Sequence, residues 1–261
     1  MTKKAKEGHV ETRTLERRTV LEWFGKAAVL GLSSPLLAAC LEEEQTQANG
    51  ASKSRDSAGD TDIEPDSEFA EYPFSPGEGH SLLDQFVVFT VDEQNLADIL
   101  KNWSLQIDGL VETPVTLTFA QLREMTVTRQ VTDFHCVTGW SVHDIPWVGV
   151  SLADLLDLVS PKDSATHITF HCQGDIYTES TPIDEALQPK TIMAYGVGDS
   201  TLPLDHGFPL RLIIPRKLGY KNAKYIYRIE LTDAPHLGYW EQLGYPYDAD
   251  VPDSRLRKGK Y

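Results

Sequence analysis

Cysteine is scarce in this chain: its 261 residues contain three, Cys40, Cys136 and Cys172. No C-x-x-C grouping accompanies them, so the paired-cysteine spacing of a zinc ribbon or finger is missing. No C-x-x-C-H occurs, and any haem must therefore belong to a partner. A long apolar run is lacking too. The stretch AAVLGLSSPLLAA, Ala27 to Ala39, is interrupted by Pro35 and too short to span a bilayer. No internal repeat or heptad is visible. Positive charge is in deficit, with 24 Lys and Arg against 39 Asp and Glu and a net charge of -15. Such a balance argues against a nucleic-acid partner, whose phosphates need a basic face.

What is present is ordinary for a folded domain: 41% hydrophobic residues, 24% charged, 18 glycines and 15 prolines. Residues 1–39 have another character. Lys3, Lys4, Lys6, Arg13, Arg17, Arg18 and Lys26 precede or enter the apolar stretch, as a signal segment requires. Arg17-Arg18 opens RRTVLEW, close to the twin-arginine pattern, although Val20 and Glu22 replace the usual Phe and Lys. Leu37-Ala38-Ala39-Cys40 resembles the lipobox of bacterial lipoproteins, which implies lipidation at Cys40. Export to the periplasmic or extracytoplasmic face, with a lipid anchor in a membrane, is the expectation. Removal of this segment, which carries +3, leaves about -18 on the mature chain.

Residues 40–80 are acidic and rich in Ser, Gly and Pro, and read as a disordered tether. The folded domain is expected over 81–250, with a tail over 251–261. LLDQFVVF suits a buried strand or an extended segment. WSLQIDGLV reads as strand, Asp-Gly turn and strand. VTLTF is a strand leading into the helix AQLREM, and TVTRQVTDF is a β-branched strand. SLADLLDLV is a short amphipathic helix with Ser151 as its N-cap. HITFHC, IYTEST, TIMAYGVG, LRLIIP and AKYIYRIEL are further strands, and PIDEAL is a helix with Pro182 in its first turn. Many strands broken by short helices indicate an α+β fold with mixed β-sheets.

The stretch FHCVTGWSVHDIPWVGV, Phe134 to Val150, holds Cys136 in a short loop stiffened by Trp140, Pro146 and Trp147. Four readings of Cys136 are open from residue types alone. It could pair with Cys172 as a disulfide, pack as an inert thiol, join His135, His143, His171 and Cys172 around zinc, or act as a nucleophile. Further along, His206, Arg211, Arg216, Lys217, Lys221 and Lys224 concentrate positive charge in nineteen residues of an acidic chain. Gly207 and Gly219 among them allow close backbone approach. A phosphate-bearing ligand would suit such a cluster, and a solvated face is the alternative.

A fifth reading comes from the order of landmarks. W-x-L-x-I-x-G-L-V at 103–111, C-V-T-G-W-S at 136–141 and W-x-G-V at 147–150 precede L-x-x-L-L at 152–156. HGFPLRLIIPRKLGYKNAK closes the series at 206–224. Together these resemble the molybdopterin-binding domain of the sulfite oxidase family, over almost all of residues 81–250. The resemblance implies the sulfite oxidase-type fold and a Mo-molybdopterin cofactor. It implies Cys136 as the thiolate ligand of molybdenum and the catalytic cysteine, a soft ligand suited to that metal.

Residue by residue, the resemblance implies cofactor contacts from His206, Arg211, Asn222, Ala223 and Lys224, with Lys217 in the same basic cluster. His171 or Cys172 falls near a further contact, and Asp84, Val87 and Val88 match an N-terminal contact segment. The implied activity is two-electron oxygen-atom transfer on a small molecule or a protein side chain. Electrons would pass through a separate protein, a membrane or soluble cytochrome or a quinone-linked partner. Two departures limit the substrate. Val137-Thr138-Gly139-Trp140 stands where sulfite oxidases have a basic run, and Thr138 stands where the bacterial protein-methionine-sulfoxide reductases have Glu. No dimerising C-terminal domain follows, so a monomer is expected. The rival from another class is a non-catalytic exported binding domain of the same fold with a Cys136–Cys172 disulfide.

Overall fold

In the computed structural model, residues 80–91, 99, 101 and 103–261 are described. They lie within one unit, Thr61–Tyr261. The signal segment, Cys40 and the tether as far as residue 79 fall outside the described residues. No helix among the described residues is long and apolar enough to cross a membrane.

Two five-stranded sheets carry the fold. The first has the order β2–β1–β10–β5–β6, built from β1 (Leu105–Gly109), β2 (Val115–Leu117), β5 (His167–Cys172), β6 (Thr178–Pro182) and β10 (Ile226–Thr232). Within it β1 and β10 run parallel, and the other neighbours are antiparallel. In the second, β3 (Val127–His135), β4 (Ser141–Ser151), β7 (Ile192–Val197) and β8 (Ser200–Thr201) follow in that order. A short β9 (Arg211–Ile213) pairs with β7 on the edge away from β4, alongside β8. The helix α1 (His80–Leu83) precedes these strands, α2 (Phe119–Glu124), α3 (Leu152–Val159) and α4 (Ile183–Ala186) lie between them, and α5 (Tyr239–Gln242) follows β10. This is the mixed-sheet α+β arrangement expected.

Local chemistry accounts for most elements. Thr118 caps α2 through a capping box: its hydroxyl accepts from Gln121 N, and the Gln121 side chain accepts from Thr118 N. The α3 sequence places Leu152, Leu155, Leu156 and Val159 on one face, and all four are buried. Burying each contributes roughly 1.5–3 kcal/mol. β7 is buried at every position because it has neighbours on both edges and layers on both faces.

Some expectations need correction. Asp108-Gly109 is not a two-residue hairpin turn. Gly109 stays in β1, whose antiparallel partner begins at Val115, opposite Ile107. LLDQFVVF is not a buried strand: it forms α1 and then runs extended, with Val87, Val88 and Phe89 exposed. Ser151 occupies the N-cap position of α3, but its side chain makes no capping bond. Pro182 ends β6 and is itself the cap of α4.

Candidate active site

The β3–β4 hairpin presents Cys136 at its tip. Cys136 N donates to Trp140 O at 3.0 Å and Gly139 N donates to Cys136 O at 3.2 Å, closing a tight turn. Gly139 has φ +102°, a conformation that costs an L side chain dearly and glycine nothing. Trp140 stacks on Phe134 with ring centroids 5.8 Å apart. Phe86 then lies against Phe134, Trp140 and His206, at 4.8, 5.5 and 5.4 Å. The segment read as an N-terminal contact therefore does reach the cysteine loop. Phe86 makes the ring contacts there, while Asp84, Val87 and Val88 are exposed.

A second clamp comes from residues 251–261, read from sequence as a tail. Arg255 donates to Cys136 O at 3.0 Å, to Trp140 O at 2.7 Å and to Ser141 Oγ at 2.9 Å. Ser141 Oγ lies 2.8 Å from His135 Nδ1. Which of the two donates depends on the His135 tautomer, since the hydroxyl can accept from Arg255 and still either donate to or accept from the ring. Burial, followed by the nearby Arg255 charge, lowers His135 to about 4, so the ring is neutral at pH 7. Just behind the tip the two strands are tied by Asp133, whose carboxylate accepts from Arg257 Nε at 2.6 Å and from Asp144 N at 3.0 Å. Burial pushes that carboxyl up, but the bonds from Arg257, Asp144 and His143 outweigh it and hold it well below the usual range.

Around the sulfur itself, Cys136 is buried, and the exposed Thr138 sets its hydroxyl 3.1 Å from Sγ. Cys136 and Cys172 are both free thiols, so the disulfide alternative is not what the fold forms. Among the described residues no three His, Cys, Asp or Glu side chains converge as a metal cage. The zinc reading fails on that point: His171 bonds Glu230 Oε2 at 2.9 Å, and His143 faces Asp133 at 3.2 Å.

The basic cluster divides sharply. Lys217 is held by Glu185 and by Asp250, the latter at 2.9 Å. Lys221 is buried between Glu179 and Glu241, 2.6 Å from each, with the Tyr247 ring 4.1 Å away. Burial is the main reason that Glu179 rises to about 8, outweighing the attraction of Lys221. Arg216 is exposed over the Tyr261 ring. These three cations do not converge on a common ligand. Lys221→Met should destabilise the domain by about 3–5 kcal/mol, since it leaves buried carboxylates without their cation. Urea unfolding of the wild-type and variant domains measures this.

Arg211 and Lys224 behave differently. Arg211 is buried, donates to His206 O at 2.9 Å and to Asn222 O at 3.4 Å, and leaves its buried Nε without a partner. Its guanidinium lies 5.4 Å from the Phe134 centroid and 5.3 Å from that of Trp147. Lys224 donates only to carbonyls, Phe89 O at 3.0 Å and Asp205 O at 2.9 Å. Neither forms an ion pair with a carboxylate among the described residues. Burial lowers Arg211 to about 10; burial and then Arg211 lower Lys224 to about 8. Gly207, at φ +106°, lies between them: a Cβ there would come within 3.1 Å of both side chains. With no carboxylate in ion-pair reach, and only the more distant Asp205 charge acting on Lys224, desolvating these cations is costly, and a bound anion would relieve that cost. The donor set thus fits the phosphate end of a molybdopterin.

Other candidates take supporting places. Asn222 uses its side chain to staple the loop, accepting from Ile214 N at 2.6 Å and donating to Leu218 O at 3.2 Å. Ala223 O accepts from Leu212 N at 2.9 Å, joining β9 to the chain before β10. Strand alternation puts His171 and Cys172 on opposite faces of β5. The Cys172 thiol lies within the electrostatic reach of Lys224, and burial pushes it well above its ordinary value. Gly219 makes room for Phe134, whose ring a Cβ would meet at 2.7 Å, and not for a ligand.

Comparison with known proteins addresses the family. The family model described as oxidoreductase molybdopterin binding domain matches residues 91–240, more than half of the chain. Oxidoreductase YuiH of Bacillus subtilis (strain 168) is 34% identical, over 63% of this chain and 82% of that protein. A putative protein-methionine-sulfoxide reductase subunit, YedZ1 of Azospira oryzae, is 38% identical over 55% of this chain and 54% of its own. The protein-methionine-sulfoxide reductase catalytic subunit MsrP of Gluconobacter oxydans is 37% identical over 54% and 50%. The chain thus spans about half the length of the last two. With its mixed-sheet α+β fold, the chain belongs to the sulfite oxidase-type molybdopterin-binding family and is a molybdenum oxidoreductase with a Mo-molybdopterin cofactor.

Proposed function

We propose that the protein catalyses two-electron oxygen-atom transfer, with Cys136 as the protein's ligand to molybdenum. The observation that carries this reading is a buried free thiol on a clamped hairpin, joined through Phe134 and Phe86 to the buried Arg211 and the half-buried Lys224, neither of which forms an ion pair among the described residues. When bound, the cofactor supplies the redox chemistry XO + 2e⁻ + 2H⁺ ⇌ X + H₂O. The chain's part is placement. Arg211 and Lys224 take the phosphate end, His206 and the backbone of Asn222 and Ala223 line it, and the Cys136 hairpin fixes the sulfur. Arg255 and the Phe86–Trp140–Phe134 stack hold that hairpin by its backbone and its rings, so that the sulfur has one position. His135, being neutral, adds no charge beside it.

The names of two relatives suggest sulfoxides as the first substrates to try, although Thr138 stands where the family resemblance would put a Glu in such reductases. The chain in its export host, purified with cofactor and supplied with a reduced viologen dye, is expected to consume dye with methionine sulfoxide or dimethyl sulfoxide. A dye acceptor with the corresponding thioether tests the other direction. No turnover in either direction, at full molybdenum content, would contradict oxygen-atom transfer on sulfur.

Export and anchoring are part of the same proposal, and rest on Arg17-Arg18 and on Leu37-Ala38-Ala39-Cys40. A separate electron-transfer protein at the membrane would then exchange electrons with the site. Cys40→Ser should move the protein from the membrane to the soluble fraction without lowering its cofactor content. Arg17→Lys with Arg18→Lys should block export. Fractionation with molybdenum analysis measures both, and unchanged partitioning of the Cys40 variant would remove the lipid anchor from the account.

A further inference from the structure

The Cys136 turn carries one polar side chain aimed at the sulfur. Thr138, two residues on, places Oγ1 3.1 Å from Cys136 Sγ, within reach of an O–H donating to sulfur. The turn enforces this contact: the bond from Gly139 N to Cys136 O, at 3.2 Å, folds Thr138 back over the cysteine. Arg255 fixes the same peptide from outside through Cys136 O. Thr138 is exposed, so nothing in packing demands a hydroxyl here, and water could satisfy it equally well. Val137, beside it, is exposed as well and offers the sulfur no donor.

We infer that Thr138 is a positioning residue that tunes the Cys136 thiolate by donating a hydrogen bond to Sγ, a role that rests on the ligation proposed above. A thiolate that accepts a hydrogen bond donates less charge to its metal. The reduced state of the metal is then favoured, and the sulfur electrons lie deeper. Thr138 therefore sets how electron-rich the sulfur is.

Three variants of the cofactor-loaded protein test this: Thr138→Val, Thr138→Ser and Cys136→Ser. The readouts are the midpoint potential of the molybdenum and the energy of the sulfur-to-metal charge-transfer band. Thr138→Val keeps shape and removes the donor, so the potential should fall and the band should move to longer wavelength, at unchanged metal content and melting temperature. Thr138→Ser restores the donor and should return both to the wild-type values. An unmoved potential and band in Thr138→Val, or a Ser variant that behaves like the Val one, would overturn the inference. A charge-transfer band that survives in Cys136→Ser would instead overturn the ligation on which it rests.

Discussion

Replacing Cys136 with Ser is expected to remove oxygen-atom-transfer activity by more than about 100-fold, the upper range for losing even an outer-shell partner of a metal. The fold should survive, because Ser is close to Cys in size and the hairpin is held by contacts that do not involve the thiol. Arg255 grips the carbonyls of Cys136 and Trp140, and Phe86 and Phe134 grip the Trp140 ring. Cofactor should be partly retained through Arg211 and Lys224. Cys172→Ser serves as the contrast. Cys172 is free, buried in β5 and held as a neutral thiol by burial, so its loss should leave activity largely intact. Steady-state turnover per molybdenum, measured on both variants, separates the two roles. Equal losses in both would show that neither thiol is a privileged ligand.

The second large effect is expected at the cation pair. Arg211→Ala or Lys224→Ala should weaken cofactor binding about ten- to a hundredfold, because each removes a charge-assisted bond worth roughly 1.5–3 kcal/mol. pH should act on one of them. The Lys224 ammonium is lowered to about 8 by burial and then by Arg211, so it is charged at pH 7 and loses its proton as pH rises through about 8. Affinity of the apo-domain for molybdopterin should therefore fall above about pH 8, and this dependence should vanish in Lys224→Met. Arg211, lowered to about 10, keeps its charge across that window. Cofactor retention after gel filtration at a series of pH values measures both. An unchanged retention in the two Ala variants would mean that the pair serves the fold alone.

How much of this could be read from sequence depends on whether the signal is local. α3 was legible from the spacing of Leu152, Leu155, Leu156 and Val159, and α2 as the short helix AQLREM after the strand VTLTF, although its capping box from Thr118 and Gln121 was not read. β3, β5, β7 and β10 were legible from their β-branched runs. The extra length of the β1–β2 connection was not, because Asp-Gly in a tight turn and Asp-Gly at the end of a strand look alike. At the site, the order of motifs led to Cys136, Arg211 and Lys224. Charge alone could not separate Arg211 from Lys221, which differ only in what surrounds them: carbonyls and rings for one, Glu179 and Glu241 for the other. Arg255 was missed outright. It reaches Cys136 across 119 positions of sequence, and no local pattern distinguishes it from the basic residues beside it. Phe86 was missed for a similar reason, as one aromatic in an apolar run whose neighbours Val87 and Val88 turned out to face outward.

The central claim, that this chain binds molybdenum through Cys136, is tested most directly by molybdenum K-edge X-ray absorption on the cofactor-loaded protein. Wild type and Cys136→Ser would be compared at matched metal content. The account predicts about one molybdenum per wild-type chain, and one sulfur scatterer fewer around the metal in the variant, with the cofactor's own sulfurs still present. An identical sulfur count in the two proteins, or a wild-type chain without molybdenum when isolated from its export host, would contradict it.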